Sequence, residues 1–176
     1  MSSVVISGDT SGAITLSAPA VAGTNTATLP AATGTVMVSG NMPAFEAYIA
    51  SSQSVNTGSN TLLTFNTKVY DTANCFNTST YAFTPNVAGY YQVNAYCAFG
   101  SNSNTAGIYL WKNGSQFRSG KQGYPATGYP DSNYAGLIYM NGTTDYIQIY
   151  CQVGANTATQ SSAITTTFNA CLVRAA

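Results

Sequence analysis

Tyr81-Ala82-Phe83-Thr84-Pro85-Asn86-Val87-Ala88-Gly89-Tyr90-Tyr91-Gln92-Val93 is the stretch on which the architecture turns. It joins a short aromatic strand, a Pro/Gly turn and a second strand that enters on two adjacent tyrosines. Outward from it, short apolar runs recur with turn residues between them. They are Phe45 to Ala50, Thr61 to Phe65, Lys68 to Asp71, Tyr90 to Phe99, Gly107 to Lys112, Tyr134 to Met140, Tyr146 to Val153 and Thr165 to Val173. No segment keeps a helical period. The number and spacing of the runs predict an all-β sandwich, of which the jelly roll is the two-sheet form.

Two dipeptides mark reversals. Asn113-Gly114 follows the run ending at Lys112 and predicts a hairpin, because both central residues of a primed turn need positive φ. Asn141-Gly142 predicts another turn, with a longer connection to Tyr146. Residues 1–43 differ in kind, being small, Gly/Ala/Thr-rich and free of aromatics. Within them Ala13 to Leu16, Thr26 to Leu29 and Thr35 to Val38 alternate apolar with small polar residues and predict three short strands. Such strands are too short to bury a core within one copy. Residues 1–43 are therefore expected to dock on neighbouring subunits or another surface through Ile14, Leu16, Leu29, Val36 and Val38, with the sandwich occupying 44–176.

A chain of 176 residues suffices for one domain and a short extension. Only 6% of the residues are charged, with five basic and five acidic side chains. Without a basic excess, nucleic acid and anionic membrane are excluded as main partners. No apolar run is long enough to span a bilayer, and Met1-Ser2-Ser3-Val4 lacks the basic-then-apolar start of a signal peptide, so the chain is expected to be soluble when made. Cys75, Cys97, Cys151 and Cys171 allow three disulfide connectivities. Reduced, buried thiols are the favoured reading in a chain made without a signal peptide. With no CxxC pair and no histidine, neither a metal site nor a cofactor is expected. The missing histidine also removes the usual general base and the Ser-His-Asp and Cys-His constellations, so a non-enzyme is expected.

From Phe45 onward these pieces resemble, in order, the complement globular-head and tumour-necrosis-factor superfamily of jelly rolls. Phe45 and Ala47 match its opening Phe-x-Ala strand, and Val69-Tyr70-Asp71 with Phe76 match the segment before the corner. Phe83-Thr84-Pro85 and Gly89-Tyr90-Tyr91 are the corner itself. Lys112-Asn113-Gly114 matches the hairpin, Leu137 and Asp145-Tyr146-Ile147 the late strands, and Phe168 to Leu172 the closing strand. Thr144 and Ala170 stand where the superfamily has glycines, so local geometry is expected to differ there. The resemblance implies a homotrimer, with Tyr90, Tyr91 and Phe168 as candidate interface residues. Calcium is not carried over, because the five carboxylates form no cluster in sequence.

The N-terminal segment resembles those of many tailed-phage structural proteins. The matching residues are Ile14-Thr15-Leu16, Ala18-Pro19, Gly23-Thr24-Asn25-Thr26, Thr28-Leu29-Pro30 and Gly34-Thr35. Together the two resemblances imply a trimeric bacteriophage virion protein, assembled in the host cytoplasm and exposed on the particle. As a capsid decoration or cement protein it would bind the major capsid protein and stabilise the head. The alternative is a tail-fibre tip or adhesin, partnered with tail proteins and a host-surface glycan. Its ligand side chains would be Lys121, Tyr124, Tyr129 and Tyr134, in the irregular Gly/Pro-rich loop Lys121 to Tyr134. That loop packing on its own trimer neighbour is an equal reading, and a secreted complement-like lectin is a more distant one. The sequence has no fibre shaft of coiled coil, collagen-like triplets or long β-repeats, which weighs toward decoration.

Overall fold

The computed structural model describes residues 3–28, 31, 33–34, 36–100, 103–124 and 129–176, with Ser39 as backbone alone. The chain divides into two compact units, Met1–Gly34 and Thr35–Ala176. In the first, β1 (Ser3–Ser7) and β2 (Ala13–Ser17) form an antiparallel hairpin with Val4 opposite Leu16 and Ile6 opposite Ile14. Alternation puts these four side chains on one face, and each is more than half exposed. β1 escapes a reading by alternation because Val4-Val5-Ile6 is apolar at both parities. The described residues of the strands predicted at 26–29 and 35–38 take no ladder, a correction to that expectation. These small Thr/Ala/Val runs have no partner edge whose hydrogen bonds would offset the entropy of ordering them.

In the second unit a 3-10 turn (Ser39–Asn41) precedes the first strand. Its strands are β3 (Ala44–Tyr48), β4 (Ser54–Val55), β5 (Thr61–Leu62), β6 (Thr67–Asp71), β7 (Phe76–Asn77), β8 (Ala82–Phe83), β9 (Gly89–Ala98), β10 (Ala106–Lys112), β11 (Ser115–Gly123), β12 (Asp131–Met140), β13 (Ile147–Val153), β14 (Thr157–Ala158) and β15 (Thr166–Ala175). One sheet runs β12-β9-β15-β3-β6, and the other runs β11-β10-β13-β8-β7 with β5 also on β13. β14 and β4 pair separately. Every ladder is antiparallel. The unit is an all-β jelly-roll sandwich, as the spacing of the apolar runs predicts.

The core lies between the two large sheets because the central strands bury alternate residues: Phe45 and Ala47 on β3, Tyr91, Val93, Ala95 and Cys97 on β9, and Ile147, Ile149 and Cys151 on β13. Phe45 is the hub. Its ring stacks on Phe76 (4.6 Å between centroids) and Phe83 (4.7 Å) and meets Phe168 edge-on (4.9 Å). Such pairs add to the area term of burial.

The corner that decides the fold is tied down from inside. Tyr91 is fully buried against Phe83 and donates its hydroxyl to the Val87 carbonyl (2.7 Å), satisfying a polar group that β9 carries into the core. Gly89 is required by the approach of β15, since a Cβ there would overlap the Arg174 carbonyl oxygen.

A second pin explains the Lys-Asn-Gly hairpin and the late Asp. Asn113 and Gly114 have φ of 53° and 79°, the left-handed values a primed turn requires. The Asp145 carboxylate, among the few buried charged groups, accepts hydrogen bonds from Lys112 Nζ (2.8 Å), Asn113 Nδ2 (2.8 Å) and the Asn141 amide (3.0 Å). Asn113 Oδ1 returns a bond by accepting from the Tyr146 amide (2.9 Å). Asn141 Oδ1 accepts from the amides of Thr143, Thr144 and Asp145, so the longer reversal before β13 is a side-chain-built turn. Thr144 and Ala170 fit without the glycines of the resembled pattern. Neither lies at positive φ, and Ala170 points its methyl into the core.

Candidate functional site

Among the described residues no three His, Cys, Asp or Glu side chains come together to hold a metal. Three Lys–Asp pairs, Lys68–Asp71, Lys112–Asp145 and Lys121–Asp131, take up most of the scarce charge. The first holds a turn. Asp71 accepts from the Cys75 and Phe76 amides (2.9 and 3.1 Å) and from Lys68 Nζ (3.0 Å). Burial would raise the Asp71 and Asp145 carboxyls, but these hydrogen bonds and lysines outweigh it and hold both below the ordinary carboxylate range.

Cys75, Cys97 and Cys151 are buried free thiols and Cys171 is an exposed one. Burial first, and then the Asp71 charge, pushes Cys75 up to about 12. Burial alone takes Cys151 to about 12, and Cys97 is raised well above its usual value. A thiol held protonated is a poor nucleophile and metal ligand.

The candidate interaction face is the outward side of the five-stranded sheet. The registers set Tyr139 beside Tyr90, line up Leu137, Gln92 and Cys171 across β12, β9 and β15, and line up Ala135, Asn94, Asn169 and Glu46 across β12, β9, β15 and β3. Tyr90 and Tyr139 stand in contact (5.5 Å, tilted 60°), and with Leu137 and Val173 they leave apolar surface uncovered at one end of the face. Tyr70 does the same at the opposite edge, on β6. The middle is an amide ladder, in which Gln92 Nε2 donates to Asn94 Oδ1 (3.0 Å) and Asn94 Nδ2 to Asn169 Oδ1 (2.9 Å).

The sequence-predicted residues distribute unequally. Ile14, Leu16, Val36 and Val38 are all exposed, the first pair on the hairpin and the second in the Thr35–Ala176 unit. Leu29 lies outside the described residues. Of the three candidate trimer residues only Tyr90 faces outward. Tyr91 and Phe168 are corrected to core residues, each 0% exposed, because their parity on β9 and β15 points them between the sheets.

The loop expected from Lys121 to Tyr134 is shorter than that. Lys121 lies within β11, a strand without a hydrophobic period because Ser115–Gly123 is polar or glycine apart from Phe117, and Tyr134 lies within β12. Tyr134 is corrected to a core position, 8% exposed, sharing parity with Ile138 and Met140. Lys121 is held 3.7 Å from Asp131. Tyr124 and Tyr129 are 67% and 65% exposed, but they line separate depressions, Tyr124 with Tyr109, Gln122 and Gln152, and Tyr129 with Ser52, Gly100 and Gln160. Tyr109, Gln122 and Gln152 carry no sequence signal beyond strand parity. Only the register brings them together.

The fold defines a class of architecture, the jelly roll of complement heads and tumour-necrosis-factor ligands. Solved structures of that kind match it. The globular domain of zebrafish complement 1qA protein aligns at a TM-score of 0.59 and 16% identity, over 76% of this chain and 98% of that one. Murine APRIL aligns at 0.58 and 13%, over 75% and 99%. The Eiger TNF of S. frugiperda aligns at 0.55 and 10%, over 77% and 93%. No protein-family model matches the chain, and no curated protein matches it in sequence.

Proposed function

We propose that the chain is a non-enzymatic structural protein of a bacteriophage particle, a homotrimer that decorates and cements the head by binding the major capsid protein. The observation that carries the reading is the N-terminal hairpin. Its apolar face of Val4, Ile6, Ile14 and Leu16 is uncovered, and a lone two-stranded hairpin is at best marginally stable in water. A surface elsewhere must cover it, and the phage-like sequence pattern of the same segment supports a virion shell as that surface. The outward face of the five-stranded sheet supports the trimer. Tyr90, Leu137 and Tyr139 supply aromatic and aliphatic contact, and the Gln92–Asn94–Asn169 ladder supplies a polar register. The trimer would then present three hairpins at once, so that weak contacts add by avidity.

The test has two readings. In solution the chain is expected at three times its 18.3 kDa mass by light scattering. Deleting residues 1–34 is expected to leave the protein trimeric, at three times the mass of the shortened chain, and to abolish incorporation into particles. Retained incorporation would remove the hairpin from the docking role.

A second reading, a tail-tip adhesin for host glycan, is favoured by the exposure of Tyr124 and Tyr129 on either side of the β11–β12 connection. Loss of host adsorption on replacing both with alanine, with particle stability unchanged, would favour it.

A further inference from the structure

Away from the proposed trimer face, the six-stranded sheet carries a small built depression of about 150 Å³ on its outward side, where β10, β11 and β13 end together. The registers make its floor. Gly107 on β10 lies opposite Gln122 on β11 and opposite Gln152 on β13, so two amide side chains flank a residue that has none. A Cβ at position 107 would stand 3.2 Å from Gln122 Cγ and 3.3 Å from the Tyr109 hydroxyl, closing this space.

Tyr109, only 9% exposed, folds back over the glycine and joins the two amides. Its hydroxyl accepts from Gln122 Nε2 (3.1 Å) and donates to Gln152 Oε1 (3.3 Å). Gln122 Oε1 in turn accepts from the Tyr124 hydroxyl, which fixes that exposed ring at the rim. Among the described residues the Gln152 amide nitrogen has no protein partner.

The lining holds no charged side chain. A phosphate or carboxylate would find no counter-charge, and a cation no anion. What the depression offers is a row of amide and phenol groups that both donate and accept, beside the Tyr124 ring. That is the complement of a neutral ring bearing adjacent hydroxyls, whose C–H face packs on a tyrosine while its hydroxyls exchange bonds with amides. We propose that this depression is a saccharide-binding subsite that takes one neutral sugar ring, packed on Tyr124 and hydrogen-bonded by Gln122, Gln152 and Tyr109. The subsite is independent of where the protein sits on a particle and of the trimer.

The experiment titrates the full-length chain with glucose, galactose, mannose and N-acetylglucosamine by saturation-transfer NMR, with sialic acid as a charged control. At least one neutral sugar is expected to receive saturation. Its affinity is expected to fall roughly tenfold or more in Tyr124→Ala and in Gln152→Ala, the loss of one stacking or hydrogen-bonding partner. Both side chains are exposed, so neither change threatens folding. Tyr129→Ala, as exposed but outside this depression, is expected to leave binding unchanged. Saturation of sialic acid alone, no signal from any neutral sugar, or equal affinity in the wild type and both depression variants would overturn the proposal, as would a loss in Tyr129→Ala equal to theirs. Copy number on a particle and mass in solution move none of these readings, so failure of the virion proposal and failure of this one are separable.

Discussion

Asp145 shows how much of this molecule rests on single polar residues. With so little charge in the chain, its carboxylate organises two turns at once, receiving Lys112, Asn113 and the Asn141 amide. Removing one partner of a largely buried pair strands the other, so Asp145→Asn is expected to lower stability by about 2–3 kcal/mol in urea unfolding. A change below about 0.5 kcal/mol would show that the turns hold without it. Asp145 and Asp71 also set the acid limit. Both carboxyls lie below their unfolded values when folded, so the unfolded state takes up protons first as pH falls. Their contribution is complete above about pH 4 and is lost as pH drops through the folded values. Midpoints measured from pH 7 to pH 2 should be flat and then fall in the wild type, with a smaller fall in Asp145→Asn. The residue scale is also where parity outweighs composition. Tyr90 and Tyr91 are neighbours on one strand, so only one can enter the core. The apolar run Val93, Ala95 and Cys97 shares the parity of Tyr91, and that alternation is legible in the amino-acid sequence alone.

At the scale of elements, the long strands are readable because their buried faces are apolar almost throughout, as on β9, β13 and β15, where Thr166 is the exception. β11 is not. Its partner strand and the Asn113-Gly114 turn imply that a strand must follow, but Ser115–Gly123 buries only its last residue and so has no hydrophobic period to detect. The depression of Tyr109, Gln122 and Gln152 is unreadable for a related reason, because it depends on the register of three strands and register is a tertiary property. The outward face of the five-stranded sheet yields a direct prediction. Leu137 and Tyr139 are exposed and outside the core, so replacing both with arginine should leave the circular dichroism of the fold unchanged while placing like charges in the proposed contact. The double variant is expected to run as an 18.3 kDa monomer. Cys171, in the same row as Leu137 with Gln92 between them, is expected to react with a maleimide faster in that monomer than in the wild type, while Cys75, Cys97 and Cys151 stay unmodified in both. A variant that keeps the wild-type mass would move the subunit contact to another face.

The whole molecule combines two units of opposite character. The sandwich buries an apolar core of its own, whereas the hairpin of Met1–Gly34 leaves its large apolar side chains exposed. That contrast is the physical basis for the proposal that the chain is a folded module with an attachment segment. The sandwich is readable from sequence because its information is local and redundant. The hairpin pairing is not, because Val4-Val5-Ile6 is apolar at both parities and gives no alternation to read. Quantitative mass spectrometry of purified virions, giving copies of this chain per copy of the major capsid protein, tests the central claim most directly. Head decoration predicts a ratio approaching that of the shell protein itself. A number matching a few tail appendages, or absence from the particle, would contradict it.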